Sequence, residues 1–337
     1  MGFKAITELL WNKQLFLFMK LAGLFTPFYR LSYIAAVINN GFLETLADKP
    51  VPFEAFAQRV GVDKEHFGAL EAWLQAGVRL KEIGLEEGGY TLKGISRQLA
   101  HTGNDSFLAI VQEATSLHHQ LILETPGKLR NGERWTLDDQ DGKVIARSSR
   151  IVEPFQREAI DATFPNTKPL TLLEVGCGSG IYLKYAAERN PQLNAIGVEL
   201  QSSVAEMARR NIESWGLGKR VKIESGDIRD KTFDHPFDIV TLYNNIYYFP
   251  VPERVVLLTH LRSYLKSGGF LLLMTGCQGG QAVTEILNLW GAATEGCDRL
   301  PYVEEMLKQM EAAGFVNVKA KNLLPGDSFY MFVGYSS

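Results

Sequence analysis

Hydrophobic and polar residues alternate differently in the two halves of the chain. From residue 169 onwards, short apolar runs alternate with segments in which apolar residues recur at helical spacing. The apolar runs lie at residues 171–175, 194–200, 220–225, 237–243 and 269–276, and the helical segments lie at 181–190, 201–216 and 251–267. Continuous apolar runs are typical of strands that are buried on both faces of a sheet. Their alternation with helices predicts an α/β fold with a doubly wound, mostly parallel sheet.

The first hundred or so residues show mainly helical patterns with turn signals between them. A helix ends near residue 48, a second follows at 51–61, and a third begins at Asp63, a favourable N-cap residue. Two short strands then flank the turn at Glu87–Gly89. Because three helices followed by a small β wing form a winged helix, we expect a mainly helical winged-helix domain here.

Winged helices often bind DNA through a helix whose basic or amide side chains face the groove. The candidate helix at 63–76 instead carries three acidic residues, and Lys64 is its one fully charged base. A negatively charged helix repels phosphate. We therefore predict no nucleic-acid partner, and we assign this domain to packing, dimerisation or substrate enclosure.

The start of the chain is strongly apolar, which raises the question of a membrane. Glu8, Lys13, Lys20 and Arg30 interrupt it, and Pro27 is expected to break a helix. We therefore predict neither a membrane span nor a signal peptide. We expect one or two helices buried against another surface, such as a partner subunit. Attachment to a membrane is the less favoured alternative.

Composition excludes several classes of protein. The 337 residues are 46% hydrophobic and 22% charged, with a net charge of −3, which is ordinary for a globular protein and unlike a polyanion binder. The three cysteines, Cys177, Cys277 and Cys297, are far apart and form no pair of metal-binding spacing. We therefore predict no metal site, no disulfide framework and a reducing, cytoplasmic location.

These patterns predict three regions along the chain. Residues 1–103 form a helical, winged-helix dimerisation domain, and residues 165–337 form a Rossmann-like catalytic domain. The less regular stretch at 104–164 is expected to be a helical connector that covers the site.

A glycine-rich loop follows the first apolar run of the second half, in the sequence LLEVGCGSG at 172–180. Its spacing is GxGxG, with Ile181 where a dinucleotide fingerprint places its third glycine, and no GK[ST] follows as in a P-loop. Glu174 lies two residues before the first glycine. A carboxylate there would repel a pyrophosphate but suits a ligand with an ammonium group.

Acidic residues also end the next two apolar runs. Glu199 is placed to accept hydrogen bonds from both hydroxyls of a ribose, and Asp227 is placed to accept one from an adenine amino group. Ligands of doubly wound sheets bind at the carboxyl ends of the strands. Three acids at three successive strand ends therefore suit a cationic nucleoside better than a polyphosphate.

The ordered motifs LLEVGCGSG, IGVEL, SGDIRD, FDIVTLYNNIYYFP and LKSGGFLLL lie between residues 172 and 273 and resemble the class I S-adenosylmethionine-dependent methyltransferases. Together with the winged-helix half, the chain is similar to the dimeric small-molecule O-methyltransferases. The resemblance implies S-adenosyl-L-methionine as cofactor, S-adenosyl-L-homocysteine as product, and a homodimer formed through the apolar N-terminal helices.

The resemblance also implies roles for individual residues. Glu174, Gly176 and Gly178 would contact the methionine end of the cofactor, Glu199 the ribose, and Asp227 with Ile228 the adenine. The full set of expected cofactor-binding residues is Glu174, Gly176, Cys177, Gly178, Gly180, Glu199, Gln201, Asp227, Ile228 and Asn244.

The general base of the similar O-methyltransferases is missing. Their histidine corresponds to a position near Tyr247, and no histidine lies between residues 236 and 259. Three explanations stay open: the acceptor arrives already nucleophilic, as a carboxylate, an acidic phenol or enol, or an amine; His118 or His119 reaches the site; or Tyr247 or Tyr248 acts on the acceptor. An unperturbed tyrosine, with a pKa near 10, is a poor base at neutral pH.

The acceptor pocket is expected to be mainly apolar or aromatic with one polar end. The predicted substrate-binding residues are Tyr243, Tyr248, Trp290 and Glu295. We predict a methyltransferase of secondary metabolism that acts on a small, largely apolar or aromatic metabolite, most favourably on oxygen. The alternatives are transfer to nitrogen or carbon, and a regulatory protein that binds the cofactor without transfer.

Overall fold

A computed structural model describes residues 7, 8, 11, 14–101, 103 and 105–337. The chain forms two compact units, Met1–His119 with Gly142–Ile151, and Gln120–Asp141 with Val152–Ser337. The expected connector at 104–164 is thus divided between the two units instead of forming a region of its own.

The first unit is mainly helical. Its α-helices are α1 (Gln14–Asn39), α2 (Phe42–Leu46), α3 (Phe53–Arg59), α4 (Phe67–Arg79), α5 (Gly94–His101), α6 (Asp105–Glu113) and α8 (Gly142–Ser148). Strands β1 (Ile83–Glu86) and β2 (Gly89–Leu92) pair antiparallel, with Ile83 opposite Leu92. Helices α2, α3 and α4 and this hairpin follow in the expected order and enclose a core of Leu46, Phe56, Leu74 and Leu92.

Helix α1 corrects the expectation that Pro27 breaks the N-terminal segment. The helix runs unbroken for 26 residues with Pro27 inside it. Proline removes one backbone hydrogen bond, at a cost of about 3 kcal/mol, and many other turns of the same helix remain to offset it. Of the described helices, α1 is the one long and apolar enough to cross a membrane by length and composition, with a mean hydropathy of 1.4.

The two halves of α1 have different surroundings. Tyr33, Ile34 and Val37, in the second half, are buried in the core of the unit. Phe18 and Leu24, in the first half, are 64% and 67% exposed. The apolar surface of the first half is therefore not covered by the described part of this chain.

The second unit is built on a seven-stranded sheet. Its strands are β3 (Leu170–Val175), β4 (Leu193–Glu199), β5 (Val221–Ser225), β6 (Phe237–Tyr243), β7 (Leu265–Gly276), β8 (Val316–Asn322) and β9 (Phe329–Tyr335). Their order is β5-β4-β3-β6-β7-β9-β8, with the first five parallel and the last two antiparallel to their neighbours. This arrangement confirms the predicted α/β fold and adds an antiparallel pair that the sequence patterns did not predict.

Helices cover both faces of this sheet. Those whose side chains enter the cores on these faces are α9 (Glu153–Thr163), α10 (Ile181–Arg189), α11 (Ser202–Ser214), α12 (Arg254–Ser263) and α14 (Val303–Ala312). Two more helices belong to the unit: α7 (His119–Arg130), which begins one residue before it, and α13 (Ala282–Ala293). Successive strand residues face opposite sides, so Leu172 enters one core with Leu183 of α10 and Leu173 enters the other with Leu258 of α12. Burial on both faces is the reason the strands are continuous apolar runs.

Strand order determines where the site forms. From β3 the chain moves to β4 and β5 on one side, and then returns to β6 on the other side. The point where the order reverses is the switch point at which doubly wound sheets bind their ligands. The carboxyl ends of β3, β4, β5 and β6, with the loops that follow them, meet at that edge.

Candidate active site

The glycine loop adopts a backbone that requires glycine. Gly176, Gly178 and Gly180 have φ values of 66°, 53° and 79°, in the left-handed region that other residues rarely adopt. At Gly176, a Cβ atom would also lie 2.2 Å from Asn245 Nδ2. This position therefore excludes a side chain twice, by conformation and by space.

Hydrogen bonds hold the loop at the ends of β3 and β4. The Gly176 amide donates to the Val198 carbonyl over 2.8 Å, and the Gly178 amide donates to Glu199 Oε2 over 3.0 Å. Asn211 of α11 donates from its side chain to the Ser179 carbonyl. The loop then enters α10 at Ile181. The backbone is thus already arranged for close approach of a ligand.

Glu199 ends β4 as expected. Its Oε1 accepts a hydrogen bond from the Gln201 amide over 3.1 Å, and its Oε2 accepts the one from Gly178. A carboxylate offers about four acceptor positions, so two of them are left for hydroxyl groups. The carboxylate joins the two strand ends and stays able to bind a ribose.

Asp227, after β5, has a partner that the sequence reasoning missed. Arg229 donates to both of its oxygens, at 2.6 Å for the Nη2–Oδ2 pair, and also reaches Glu253 at 3.0 Å. The hydrogen bond from Arg229 holds the pKa of Asp227 below its ordinary value. The Asp227 carboxylate is therefore ionised and oriented, while the side chain of Ile228 is buried in the core.

Glu174, near the end of β3, is almost fully buried, with 2% of its surface exposed. Burial raises the pKa of its carboxyl well above the ordinary value of 4.5. Burial also raises the pKa of the Cys177 thiol, with smaller contributions from Glu174 and Glu199. The Cys177 side chain packs on the backbone of Gly197 in the core, so only its main chain belongs to the loop.

Two asparagines end β6 opposite the glycine loop. Asn244 has a φ of +53°, and its amide donates to the Met274 carbonyl over 2.7 Å. Asn245 is 8% exposed, and its Nδ2 donates to the Val175 carbonyl over 2.6 Å. The Oδ1 atom of Asn245 is buried without a hydrogen-bond partner. Sequence reasoning selected Asn244 and missed Asn245, although both lie in the motif quoted above.

The geometry fits the nucleoside predicted from the sequence. A ligand with an ammonium group would meet a buried carboxyl at Glu174 and an unpartnered acceptor at Asn245. The Asn245 side chain fits there because residue 176 is a glycine. A family model described as a methyltransferase domain matches residues 172–269. The chain contains a class I methyltransferase domain. Such a domain implies S-adenosylmethionine as the cofactor.

Solved methyltransferases share the fold over nearly the whole chain. Mitomycin 7-O-methyltransferase matches with a TM-score of 0.79 at 16% identity, over 97% of this chain and 99% of that chain. Human N-acetylserotonin methyltransferase in complex with SAM matches with a TM-score of 0.75 at 14% identity, over 95% and 97%. At these identities the likeness establishes the fold and leaves the acceptor open.

Curated relatives match a shorter stretch. The cypemycin N-terminal methyltransferase of a Streptomyces species is 32% identical over 105 residues, which are 31% of this chain and 40% of that protein. The chain spans between 31% and 46% of the length of the first curated relatives that it matches.

Tyr247 and Tyr248, which the sequence predicts to act on the acceptor, lie in a single helical turn after β6. Their rings are 4.6 Å apart, and Tyr247 is 6% exposed. Burial raises the pKa of Tyr248 above its ordinary value. A tyrosine with a raised pKa is a poorer base at neutral pH than a free one.

Tyr243, predicted to bind substrate, packs with cofactor-side residues. Its ring lies edge-on to Tyr182 of α10, with centroids 5.4 Å apart. Burial, and then the charge of Glu174, raises its pKa well above the ordinary value. Tyr182 in turn donates a hydrogen bond to Gln156 of α9. Whether Tyr243 contacts substrate stays a prediction.

The other predicted acceptor residues lie in different surroundings. Trp290 is buried in α13, with its ring 6.5 Å from that of Trp135. Glu295 has an exposed side chain, and its amide donates to the Trp135 carbonyl over 2.7 Å. Their roles in substrate binding also stay predictions.

The two candidate histidines belong to the first unit. His118 ends a π-helical turn at Ala114–His118, and its Nε2 lies 3.1 Å from Glu113 Oε1. The His119 ring is 5.9 Å from that of Phe28. Within the described residues, no group of three or more His, Cys, Asp or Glu side chains is arranged to hold a metal ion. A catalytic role for either histidine stays a prediction.

Proposed function

We propose that this chain transfers a methyl group from S-adenosylmethionine to an oxygen of a small, largely apolar or aromatic metabolite. The observation that carries the cofactor half of the proposal is the glycine loop held between Glu199 and Asn245, with Glu174 beside it. The likeness to mitomycin 7-O-methyltransferase over 97% of the chain supports oxygen as the acceptor atom.

Each part of the proposed site has a distinct task. When bound, S-adenosylmethionine supplies a methyl group that its sulfonium has already activated. Glu199 accepts hydrogen bonds from the ribose, Asp227 accepts one from the adenine, and the loop glycines allow the methionine end to approach the backbone. Because the donor is activated, positioning by these residues supplies much of the rate.

The acceptor in this proposal arrives already nucleophilic, as a carboxylate or an acidic hydroxyl. Tyr247 stands near the position where the similar O-methyltransferases have a histidine, and the neighbouring Tyr248 has a raised pKa. An anionic oxygen needs no general base. Tyr247 and Tyr248 then orient the acceptor and exclude water from the reacting oxygen.

Transfer to nitrogen is the second candidate. It is favoured by the local similarity to the cypemycin N-terminal methyltransferase. A neutral amine is also nucleophilic without a base, so the missing histidine is compatible with both acceptors.

The proposal includes an assembly and a place of action. The uncovered apolar residues of α1 support a homodimer formed through the N-terminal helices. A dimer, a cytoplasmic location and a role in secondary metabolism are parts of the proposal that need their own tests, the first by light scattering.

The test of the acceptor is transfer of an isotopically labelled methyl group into extract of the producing cell, followed by mild alkali. For a carboxylate acceptor we expect a labelled product that alkali destroys, since a methyl ester is cleaved under those conditions. An alkali-stable label would indicate an ether, an N-methyl or a C-methyl product. Tight cofactor binding with no label in extract known to contain the acceptor would favour a regulatory protein instead.

A further inference from the structure

The inference concerns Asn245 and rests on the proposed function. We propose that Asn245 Oδ1 accepts a hydrogen bond from the α-ammonium group of the cofactor, while Nδ2 of the same side chain holds the end of β3. Asn245 is thus a cofactor-binding residue in addition to those predicted from the sequence.

The position of the Asn245 amide is determined by two contacts on the glycine loop. Nδ2 donates to the carbonyl of Val175, the residue directly before Gly176, over 2.6 Å. The same Nδ2 occupies the space where a Cβ of residue 176 would lie, 2.2 Å away. The amide group therefore lies directly against the first glycine of the loop.

The other end of the amide lacks a partner. The residue is only 8% exposed. Its Oδ1 atom is buried and accepts no hydrogen bond. Buried polar atoms are nearly always hydrogen-bonded, and leaving one unpaired costs about 1–3 kcal/mol. Because Oδ1 and Nδ2 are bonded to the same carbon, this acceptor also lies at the glycine loop.

The chemistry of the surroundings selects the ligand group. Oδ1 is an acceptor only, so its partner must be a donor. Glu174, one residue before Val175, provides a second buried acceptor at the end of the same strand. S-adenosylmethionine has two positively charged groups, the α-ammonium and the sulfonium. Of these two, only the α-ammonium can donate a hydrogen bond, because the sulfonium carries no N–H or O–H.

The backbone around Asn245 supports a built site. Asn244 adopts a φ of +53°, and its amide is fixed on the Met274 carbonyl of β7. The Asn245 carbonyl accepts a hydrogen bond from the Tyr248 amide over 3.1 Å. Left-handed backbone at a non-glycine residue persists where the surroundings impose it, and it is frequent at ligand sites. The chain thus holds the Asn245 side chain in one position.

The test compares two ligands by calorimetric titration of the full-length protein. S-adenosylhomocysteine carries the α-amino group, and its deaminated analogue lacks only that group. We expect the wild type to bind S-adenosylhomocysteine more tightly. In Asn245→Ala the ratio of the two affinities should fall about 10- to 100-fold, which is the contribution of a hydrogen bond to a charged group. The affinity for the deaminated analogue should change much less.

A matched control separates recognition of the ammonium from support of the loop. Asn211 also holds the loop with its side-chain amide, through the Ser179 carbonyl, and the proposal gives it no contact with the ligand. Asn211→Ala should weaken both ligands by the same factor. If Asn245→Ala also weakens both ligands equally, Asn245 only supports the loop and the inference is overturned.

Two further outcomes are decisive. If Asn245→Ala does not fold, Asn245→Asp replaces it, since aspartate keeps an acceptor at this position; the preference for S-adenosylhomocysteine should then be retained, and its loss would overturn the inference. If the wild type binds neither ligand, the proposed function itself fails. If the wild type binds and Asn245→Ala keeps the wild-type preference, only the inference about Asn245 fails.

Discussion

The cofactor side and the acceptor side of the methyltransferase domain are constrained in different ways. On the cofactor side, three glycines with positive φ and the carboxylate of Glu199 define the backbone around the ligand. On the acceptor side, the candidate residues are aromatic side chains in different surroundings: Tyr247 in a helical turn, Trp290 buried in a helix. Backbone geometry restricts the residue types that a position allows, whereas many side chains can line an apolar pocket. The cofactor is therefore easier to infer than the acceptor.

The largest expected effect tests whether contact with Asn245 makes Gly176 less tolerant of a side chain than the other glycines of the loop. Gly176→Ala should lower the free energy of unfolding by about 3 kcal/mol or more, because strain at positive φ adds to displacement of Asn245. Gly178→Ala has strain of the same kind with nothing within 4 Å of the new Cβ, so about 1–2 kcal/mol is expected. Chemical denaturation measures both, and equal losses would contradict the importance of the Asn245 contact.

The next effect concerns the acids at the strand ends. Glu199→Ala should weaken S-adenosylhomocysteine binding about 10- to 100-fold, because it removes charged hydrogen bonds to the loop and to the ribose. Asp227→Ala should weaken it less, since Arg229 already occupies both oxygens. Titration calorimetry on each variant measures this, and unchanged affinity in both would eliminate the site assignment.

Glu174 predicts a pH dependence of stability. Its folded-state pKa is raised above the ordinary value of 4.5, so the folded protein keeps a proton that the unfolded chain releases. Stability from this group is complete below about pH 4.5 and falls as pH rises towards the folded pKa. Glu174→Gln should therefore gain stability relative to the wild type as pH rises, while binding the cofactor more weakly. Melting temperatures of both proteins between pH 5 and pH 8 test this, and a constant difference would contradict it.

The smallest expected effect is on the acceptor side. Tyr247→Phe should lower kcat less than about tenfold, because loss of a true general base costs about 100- to 10,000-fold. His118→Ala and His119→Ala should have similarly small effects. Single-turnover rates with the identified acceptor measure these changes. Complete loss of activity in either histidine variant, with activity kept in Tyr247→Phe, would show that a histidine is the base and that the acceptor is not anionic on arrival.

Most of the cofactor edge could be predicted because its signals are local. Glycines at alternate positions after a buried strand, and acids at successive strand ends, are visible in short stretches of sequence. The α/β fold followed from the same runs. The antiparallel strands β8 and β9 were missed; β8, at least, is largely exposed along its length and so lacks a continuous apolar run. The prediction that Pro27 breaks the N-terminal helix was wrong, because helix α1 continues through it.

The amino-acid sequence by itself determined the alternation of strand and helix segments, the glycine loop and the order of Glu174, Glu199 and Asp227, because each is visible in short stretches of the chain. Only the tertiary structure revealed that Asn245 reaches the Val175 carbonyl, 70 residues away along the chain. The sequence does not show whether a polar side chain in an apolar run has a hydrogen-bond partner. Its role emerges only when folding brings distant strand ends together and buries its amide between them.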